Sequence, residues 1–393
     1  MKNYKFEETN YRMEGISEIK EGGVTLVVPS DPLKKKAFYN PSAALSRDMT
    51  VLFIKALKEK DLEVCDSLAG TGARSVRILK ETGKAGRLWI VERSHEAVDF
   101  INHNLKVNGL ANKAYVFEMD ANVFLYQHAG FFDFVDIDPF GSPVYYLEGA
   151  VRAAKRKAYI AVTATDQKAL MGFSPRTTMR RYGIRAIKTD MKHEIGLRNL
   201  IATIAFAAAR YEYVFIPMIS FHHIHYYRVI GRLEKRHAYT GDYLKENTGI
   251  IHYCPYCLDR DMSQSFSGTC YCGREFRPIY PTWIGSMHDR EHVLRMLALV
   301  DTTPLQNPSE AKKILKVVSR ETNTLPYNIH EIASHYKLVV PPRKYLLSKL
   351  PDSSAVHHLP YGVKTSARLK DVLEVMKEFK EKQTNAVSDN EED

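Results

Sequence analysis

From Asp61 to about Thr163 the chain alternates short, near-continuous apolar runs with segments whose apolar residues recur every three to four positions. The runs are Leu62–Asp66, Arg87–Glu92, Ala114–Met119, Phe132–Asp138 and Tyr159–Thr163, with helical spacing over Ala73 to about Glu81 and over His95–Asn108. Strands that lack polar alternation are covered on both faces, and strands joined through helices run parallel. The pattern therefore predicts a doubly wound parallel sheet. Val214–Ser220 and Tyr226–Arg232 predict a hairpin that closes it, after an apolar helix over Ile195–Arg210. Ahead of the sheet, Val24–Val28 predicts a strand. Asn40-Pro41 then leads into Ser42–Lys60, whose spacing is helical.

After about Glu234 the pattern changes to a cysteine cluster, a Pro/aromatic stretch (Pro278 to Ile284) and about three helices between His288 and His335. The expected division is a sheet domain over residues 1–235, a smaller α/β domain over 236–380, and an acidic disordered tail over 381–393. A chain of 393 residues is long enough for two cores. It has no run of 18 apolar residues, and Met1 to Glu8 is charged and aromatic, so neither a membrane span nor a secretory leader is expected. The net charge is +10, and the last 13 residues carry −4, which leaves a body of +14. That balance suits an anionic partner, nucleic acid above all, although charge kept for solubility gives the same count. Pro32 and Lys34-Lys35-Lys36 precede the first helix.

Candidate chemistry gathers at the strand ends. Asp66-Ser67-Leu68-Ala69-Gly70-Thr71-Gly72 closes the first strand as an acid followed by Gly-x-Gly, a turn whose glycines let backbone approach a ligand. A dinucleotide site wants a third glycine at 75, which is Ser, and no Gly-Lys-Ser/Thr follows. Glu92 ends the second strand, placed to take ribose hydroxyls, and Asp120 ends the third, within reach of an adenine amino group. Together they fit S-adenosylmethionine better than a dinucleotide; singly, each acid could equally cap a helix or face water.

Asp136-Ile137-Asp138-Pro139-Phe140-Gly141-Ser142-Pro143 follows the fourth strand. Acid-Pro-aromatic there suits methylation of a planar exocyclic amine. The nitrogen lone pair is delocalised into the ring. A carboxylate that accepts one N–H, with a backbone carbonyl accepting the other, makes the nitrogen more tetrahedral and aims its lone pair at a methyl donor. The carboxylate then takes the proton. Asp138 is the expected acceptor, Pro139 fixes the turn, and Phe140 stacks on the base. Asp136 lies on the same strand face and could serve instead.

Arg181, Arg185, Lys188 and Lys192 would share one face of a helix, and with Arg176 and Arg180 they would form a stripe for phosphates or merely a solvated face. Tyr182, His193 and His222-His223-x-His225 could reach bases, with packing the blander role for the histidines. Cys254-x2-Cys257-x12-Cys270-x-Cys272 offers four thiolates on two short arms, the count for a structural zinc, with free or redox-active thiols as the alternative. Five cysteines, four of them clustered, indicate a reducing cytoplasmic compartment, and Cys65 reads as core.

On these residues the chain resembles the archaeal and eukaryotic tRNA (guanine-26-N2)-dimethyltransferases. Phe38-Tyr39-Asn40-Pro41 with Arg47-Asp48 is similar to the family's leading segment, and Ala69 to Arg74 to its glycine turn, with Gly70 in place of a small residue. Asp136-x-Asp138-Pro-Phe-Gly-Ser-Pro matches its signature. Thr163 to Asp166, His193-Glu194 and Pro360 to Thr365, followed by Ser366, fall where later motifs are expected, with Tyr361 in place of the usual Asn. The likeness spans about residues 16–375. It implies a class I methyltransferase that uses S-adenosylmethionine to add one or two methyls to N2 of guanine 26 in tRNA. It also implies cofactor contacts from Arg47, Arg74, Glu92, Asp120 and Ala121, in addition to Asp66, Gly70 and Gly72 of the turn. The guanidinium groups suit the methionine carboxylate. A monomer with no obligate protein partner is expected. The alternatives are methylation of another nucleic-acid amine, such as adenine N6 or a different guanine, and a non-catalytic RNA-binding protein on a decayed scaffold.

Overall fold

The computed structural model describes residues 15–31 and 37–388, with backbone alone over 382–388. Met1 to Glu8, Pro32, Lys34 to Lys36 and residues 389–393 lie outside the described residues.

A hairpin of β1 (Ile16–Glu21) and β2 (Val24–Pro29) precedes helix α1 (Ala44–Lys55). Strands and helices then alternate: β3 (Leu62–Asp66), α2 (Ala73–Glu81), β4 (Ala85–Glu92), α3 (His95–Val107), β5 (Ala114–Glu118), α4 (Ala121–Gln127), β6 (Phe132–Ile137), α5 (Val144–Ala153) and β7 (Ala154–Ala164). Short helices α6 (Gln167–Leu170) and α7 (Pro175–Tyr182) lead to α8 (Lys192–Ala209) and the hairpin β8 (Tyr213–His223) with β9 (Tyr226–Lys235). The seven strands order as β5-β4-β3-β6-β7-β9-β8. The first five are parallel, and β9 runs antiparallel to both β7 and β8, so the expected hairpin does close the sheet.

Helices cover both faces. Met49, Leu52 and Phe53 of α1 and Ile101 and Leu105 of α3 pack on one, and Leu197, Leu200 and Ile201 of α8 with Leu147 and Val151 of α5 on the other. That two-sided burial is why the strands carry no polar alternation. Strand order reverses between β3 and β6, whose ends lie side by side with Asp66 opposite Asp136. A crevice at such a switch point is where open α/β sheets bind ligands.

Beyond β9 come α9 (Thr240–Asn247), β10 (Thr248–Tyr253), β11 (Arg260–Ser263), β12 (Arg277–Trp283), α10 (Arg290–Leu299), α11 (Pro308–Val318), β13 (Pro326–Asn328), α12 (Ile329–Tyr336), α13 (Arg343–Lys349), β14 (Ser354–Val356), β15 (Leu359–Lys364) and α14 (Leu369–Ser388). They form two three-stranded antiparallel sheets, β11-β10-β12 and β13-β15-β14. Packing does not break at residue 235. Val293 and Met296 of α10 and Ile314 and Leu315 of α11 sit in the same core as α1, and Ile251 and Trp283 join the core of α8. Helix α14 continues through Ser388, so residues 381–388 are helical rather than part of a disordered tail.

The basic segment differs from expectation. Helix α7 ends at Gly183, whose φ of +66° a side chain would resist, and Arg185 then exchanges two backbone hydrogen bonds with Tyr280, at 2.7 and 3.0 Å. Residues 181, 185, 188 and 192 therefore do not share a helix face, although Arg176, Arg180, Arg185, Lys188 and Lys192 all remain exposed. Cys65 is fully buried in the core.

Candidate active site

The crevice holds a cavity of about 600 Å³. Its lining includes Arg47, Asp66, Gly70, Arg74, Glu92, Asp120, Ala121, Asp138, Pro139 and Phe140. Of the residues expected to bind the cofactor, Gly72 is the one that does not line it. It precedes α2 at φ +73°, where a Cβ would press on Ile101 at 3.1 Å, so it serves helix packing. Gly70 has φ +56°, and a Cβ there would stand 2.7 Å from the carbonyl oxygen of Phe38, which also accepts the Thr71 N–H. The glycine turn and the Phe38–Pro41 segment are thus fitted to each other.

Glu92 and Asp120 are held by backbone. Glu92 Oε2 accepts from the Gly70 N–H at 2.9 Å, and Oε1 from the N–H groups of Arg93 and Ser94 at 2.8 and 3.0 Å. A carboxylate has about four acceptor positions, so one stays available on Oε2 for a hydroxyl. Asp120 caps α4 through Oδ1, which accepts from Asn122 and Val123 at 2.9 and 3.2 Å. Its Oδ2 has no partner among the described residues, so capping and ligand binding use different atoms of one side chain.

The β6 end is built from ion pairs. Arg228 of β9 donates to both oxygens of Asp136 (3.1 Å to Oδ1, with a shorter contact to Oδ2) and to Thr163 and Thr50 at 2.8 Å each. Asp136 is wholly buried and committed to that arginine, so it cannot serve as the amine acceptor. Asp138, whose side chain is 26% exposed, faces the cavity. Arg74 donates to it and to Thr50, the latter at 2.9 Å. Burial alone would raise the Asp138 carboxyl, but Arg74, Arg228 and a hydrogen bond from Thr163 outweigh it and hold the group below its ordinary value. Asp66 goes the other way: burial and the neighbouring Asp136 charge push it up to about 6, and it accepts from the Ser75 hydroxyl at 2.7 Å.

Sequence reasoning missed the partners of the arginines. Arg47 is clamped by Glu21 through Nε and Nη2, at 2.6 Å each, which leaves Nη1 for a ligand. Burial would raise Glu21, but Arg47 and the Tyr39 hydroxyl keep it at about 2. Asp48, beside it, holds Arg77 and the backbone of Gln306 and Asn307.

Phe140 is 73% exposed at the rim, and Phe38 meets its ring edge-on at 4.4 Å. The turn behind it is fixed. The Gly141 N–H donates to the Thr165 hydroxyl at 2.7 Å, and the Ser142 hydroxyl to that of Tyr182 at 2.9 Å. Tyr182 donates on to Asp166, which also pairs with Arg181. Tyr182 is buried, so it braces the turn rather than reaching a base. His193 and His222 stack at 3.8 Å, and burial keeps both neutral, His193 at about 3 and His222 at about 2. Of the His222–His225 run, His225 alone lines the cavity.

Cys254, Cys257, Cys270 and Cys272 have their sulfurs within 4.8 Å of one another. Cys254 and Cys272 lie 3.6 Å apart, and Cys257 and Cys270 3.4 Å. A tetrahedron with bonds of about 2.3 Å separates its sulfurs by about 3.8 Å, so the four thiols fit a zinc ion. The cluster packs under α12, where the Tyr336 hydroxyl donates to the Cys257 carbonyl at 2.9 Å.

An open, Rossmann-like sheet with a glycine turn, an acid at each of the next two strand ends and an Asp-Pro-Phe turn at the fourth defines a class I S-adenosylmethionine-dependent methyltransferase. The comparisons narrow this further. The family described as N2,N2-dimethylguanosine tRNA methyltransferase matches residues 15–377. A tRNA (guanine(26)-N(2)/guanine(27)-N(2))-dimethyltransferase of Aquifex aeolicus is 32% identical over 377 residues, covering 92% of this chain and 96% of the relative. A tRNA (guanine(26)-N(2))-dimethyltransferase of Metallosphaera sedula is 32% identical, covering 92% and 97%. The solved structure of Trm1 from Pyrococcus horikoshii with S-adenosyl-L-methionine superposes with a TM-score of 0.83 at 29% identity, over 92% of this chain and 99% of that one. The chain belongs to the N2,N2-dimethylguanosine tRNA methyltransferase family.

Proposed function

We propose that this enzyme methylates the N2 amine of guanine 26 in tRNA, once and then again, with Asp138 as the acceptor that aligns the amine. The observation that carries the reading is the contrast at β6: Asp136 is spent on Arg228, while Asp138 faces the cavity beside Pro139 and Phe140. Glu92 and Asp120 would hold the ribose and adenine of the cofactor, and Arg47 Nη1 its carboxylate, with Ala121 and Gly70 giving backbone room. When bound, S-adenosylmethionine supplies an electrophilic methyl group, which the amine nitrogen takes as the carbon–sulfur bond breaks and one N–H proton is lost. Asp138, kept ionised by Arg74, Arg228 and Thr163, accepts that proton. Phe140 stacks on the base, and the exposed arginines and lysines of 176–192 meet phosphates.

The cysteine cluster would hold structural zinc that braces the C-terminal sheet against α12. The enzyme would act as a monomer in the cytoplasm, where thiols stay reduced. No helix among the described residues is long and apolar enough to cross a membrane.

Nucleoside mass spectrometry of tRNA transcripts after reaction tests the substrate. Dimethylguanosine should form in the wild-type transcript and vanish when guanine 26 is replaced. Product that persists without guanine 26 would move the target to another position, such as guanine 27.

A further inference from the structure

The β8–β9 hairpin brings Tyr226 to the cavity wall. The residue is 6% exposed, its hydroxyl is buried, and that hydroxyl has no hydrogen-bond partner among the described residues. Other buried tyrosines do have one: Tyr182 at Asp166, Tyr213 at the Ala154 carbonyl, and Tyr227 at His193. A buried polar atom left alone in a folded protein calls for an explanation, and this one belongs to a residue of the cavity wall. Burial first, and then the Asp138 charge, raise the phenol above its ordinary value, so it keeps its proton and can both accept and donate. Asp138 and Tyr226 line the same cavity.

We propose that the Tyr226 hydroxyl accepts the second N–H of the unmethylated guanine amine, while Asp138 accepts the first. This rests on the reading of Asp138 given above. It supplies the second acceptor from a side chain rather than from a backbone carbonyl. Its consequence differs between the two methyl transfers. An unmethylated amine has two N–H groups, one for each acceptor. A monomethylated amine has one, which must face Asp138 for the proton to leave. Its methyl then occupies the side of Tyr226, where a hydroxyl gives it nothing to bond. Tyr226 therefore assists the first transfer and not the second.

Tyr226→Phe keeps the ring and removes the oxygen. Single-turnover rates should be measured on unmodified tRNA and on tRNA carrying N2-methylguanosine at position 26. The first transfer should fall about three- to tenfold, the cost of one hydrogen bond, while the second stays level or rises. A binding readout runs alongside. The preference for guanine over inosine at position 26, which lacks the amine, should shrink in the variant, with S-adenosylmethionine affinity unchanged. Equal slowing of both transfers, a loss confined to the second, no change in either, or a fall in cofactor affinity would each overturn the proposal. Asp138→Asn separates it from the reading beneath. That variant should lose both transfers, and if it keeps them, the acceptor role of Asp138 fails whatever Tyr226 does.

Discussion

At the ends of β4 and β5, Glu92 and Asp120 are gripped by backbone N–H groups; at the end of β6, Asp136 and Asp138 are gripped by guanidinium groups. A backbone grip fixes direction and leaves the full negative charge, with lone pairs over for hydroxyls and amines. That suits recognition of a neutral ribose and adenine. A guanidinium grip cancels charge and sets protonation, which suits a group that must stay ionised until a proton arrives. On the proposed reading, one crevice splits its carboxylates between holding and reacting by the kind of donor behind each one.

The sharpest way to break this comparison is at its reacting end. Asp138→Ala should lower methyl transfer by about 10²- to 10⁴-fold, the range for a positioned proton acceptor, while S-adenosylmethionine binding by calorimetry stays within about threefold of wild type. Parallel loss of binding and turnover would place Asp138 among the holding groups instead. Next in size is its support. Arg228→Met leaves Asp136 buried with only Arg74, at 3.6 Å, beside it. Removing one partner of a buried pair costs about 3–5 kcal/mol, read as a lower denaturant midpoint at unchanged slope. An unchanged midpoint would mean that Arg74 alone can compensate Asp136.

The same comparison explains what was legible in the sequence. Glu92 with Gly70 joins the ends of two successive strands, and Asp120 with Asn122 and Val123 lies within one turn, so strand ends and spacing sufficed to mark them as candidates. The proline beside Asp138 separates it from Asp136 in the sequence, and the structure adds a second difference: Asp136 is buried on Arg228 while Asp138 lines the cavity. Arg228 lies 92 residues from Asp136 and 178 from Thr50, and Glu21 lies 26 from Arg47, so no local period links them. One signal was available. Arg228 interrupts the apolar run Tyr226 to Ile230, and a cation on a strand covered on both faces needs a buried anion. The 181–192 stripe failed because helical spacing of charges says nothing about whether the backbone is helical. Gly183 was the stop signal, and burial alternates from Gly183 to Ala186 as in an extended chain.

At the holding end the effects should be smaller. Glu92→Gln replaces one acceptor oxygen by a donor that faces backbone N–H groups. Cofactor affinity should weaken by about 10- to 150-fold, the worth of hydrogen bonds to a charged group. Turnover at saturating cofactor should stay near wild type. A large fall in saturated turnover would mean that Glu92 also shapes the reacting geometry.

Asp120 gives the smallest effect and the finest division. Its Oδ1 caps α4 and its Oδ2 has no partner among the described residues, so Asn and Ala should separate the two duties. Asn caps helices about as well as Asp, so Asp120→Asn should leave the melting temperature where it is. It turns the free acceptor into a donor, which an adenine amine cannot use, and binding should weaken by about three- to tenfold. Asp120→Ala should lose that affinity and about 1 kcal/mol of stability as well, because two N–H groups of the first turn go unmet. If Asn destabilises as much as Ala, the cap needs the charge rather than the oxygen, through the positive end of the helix dipole. If Asn binds cofactor as well as Asp does, Oδ2 is not the adenine acceptor and Asp120 is a cap alone.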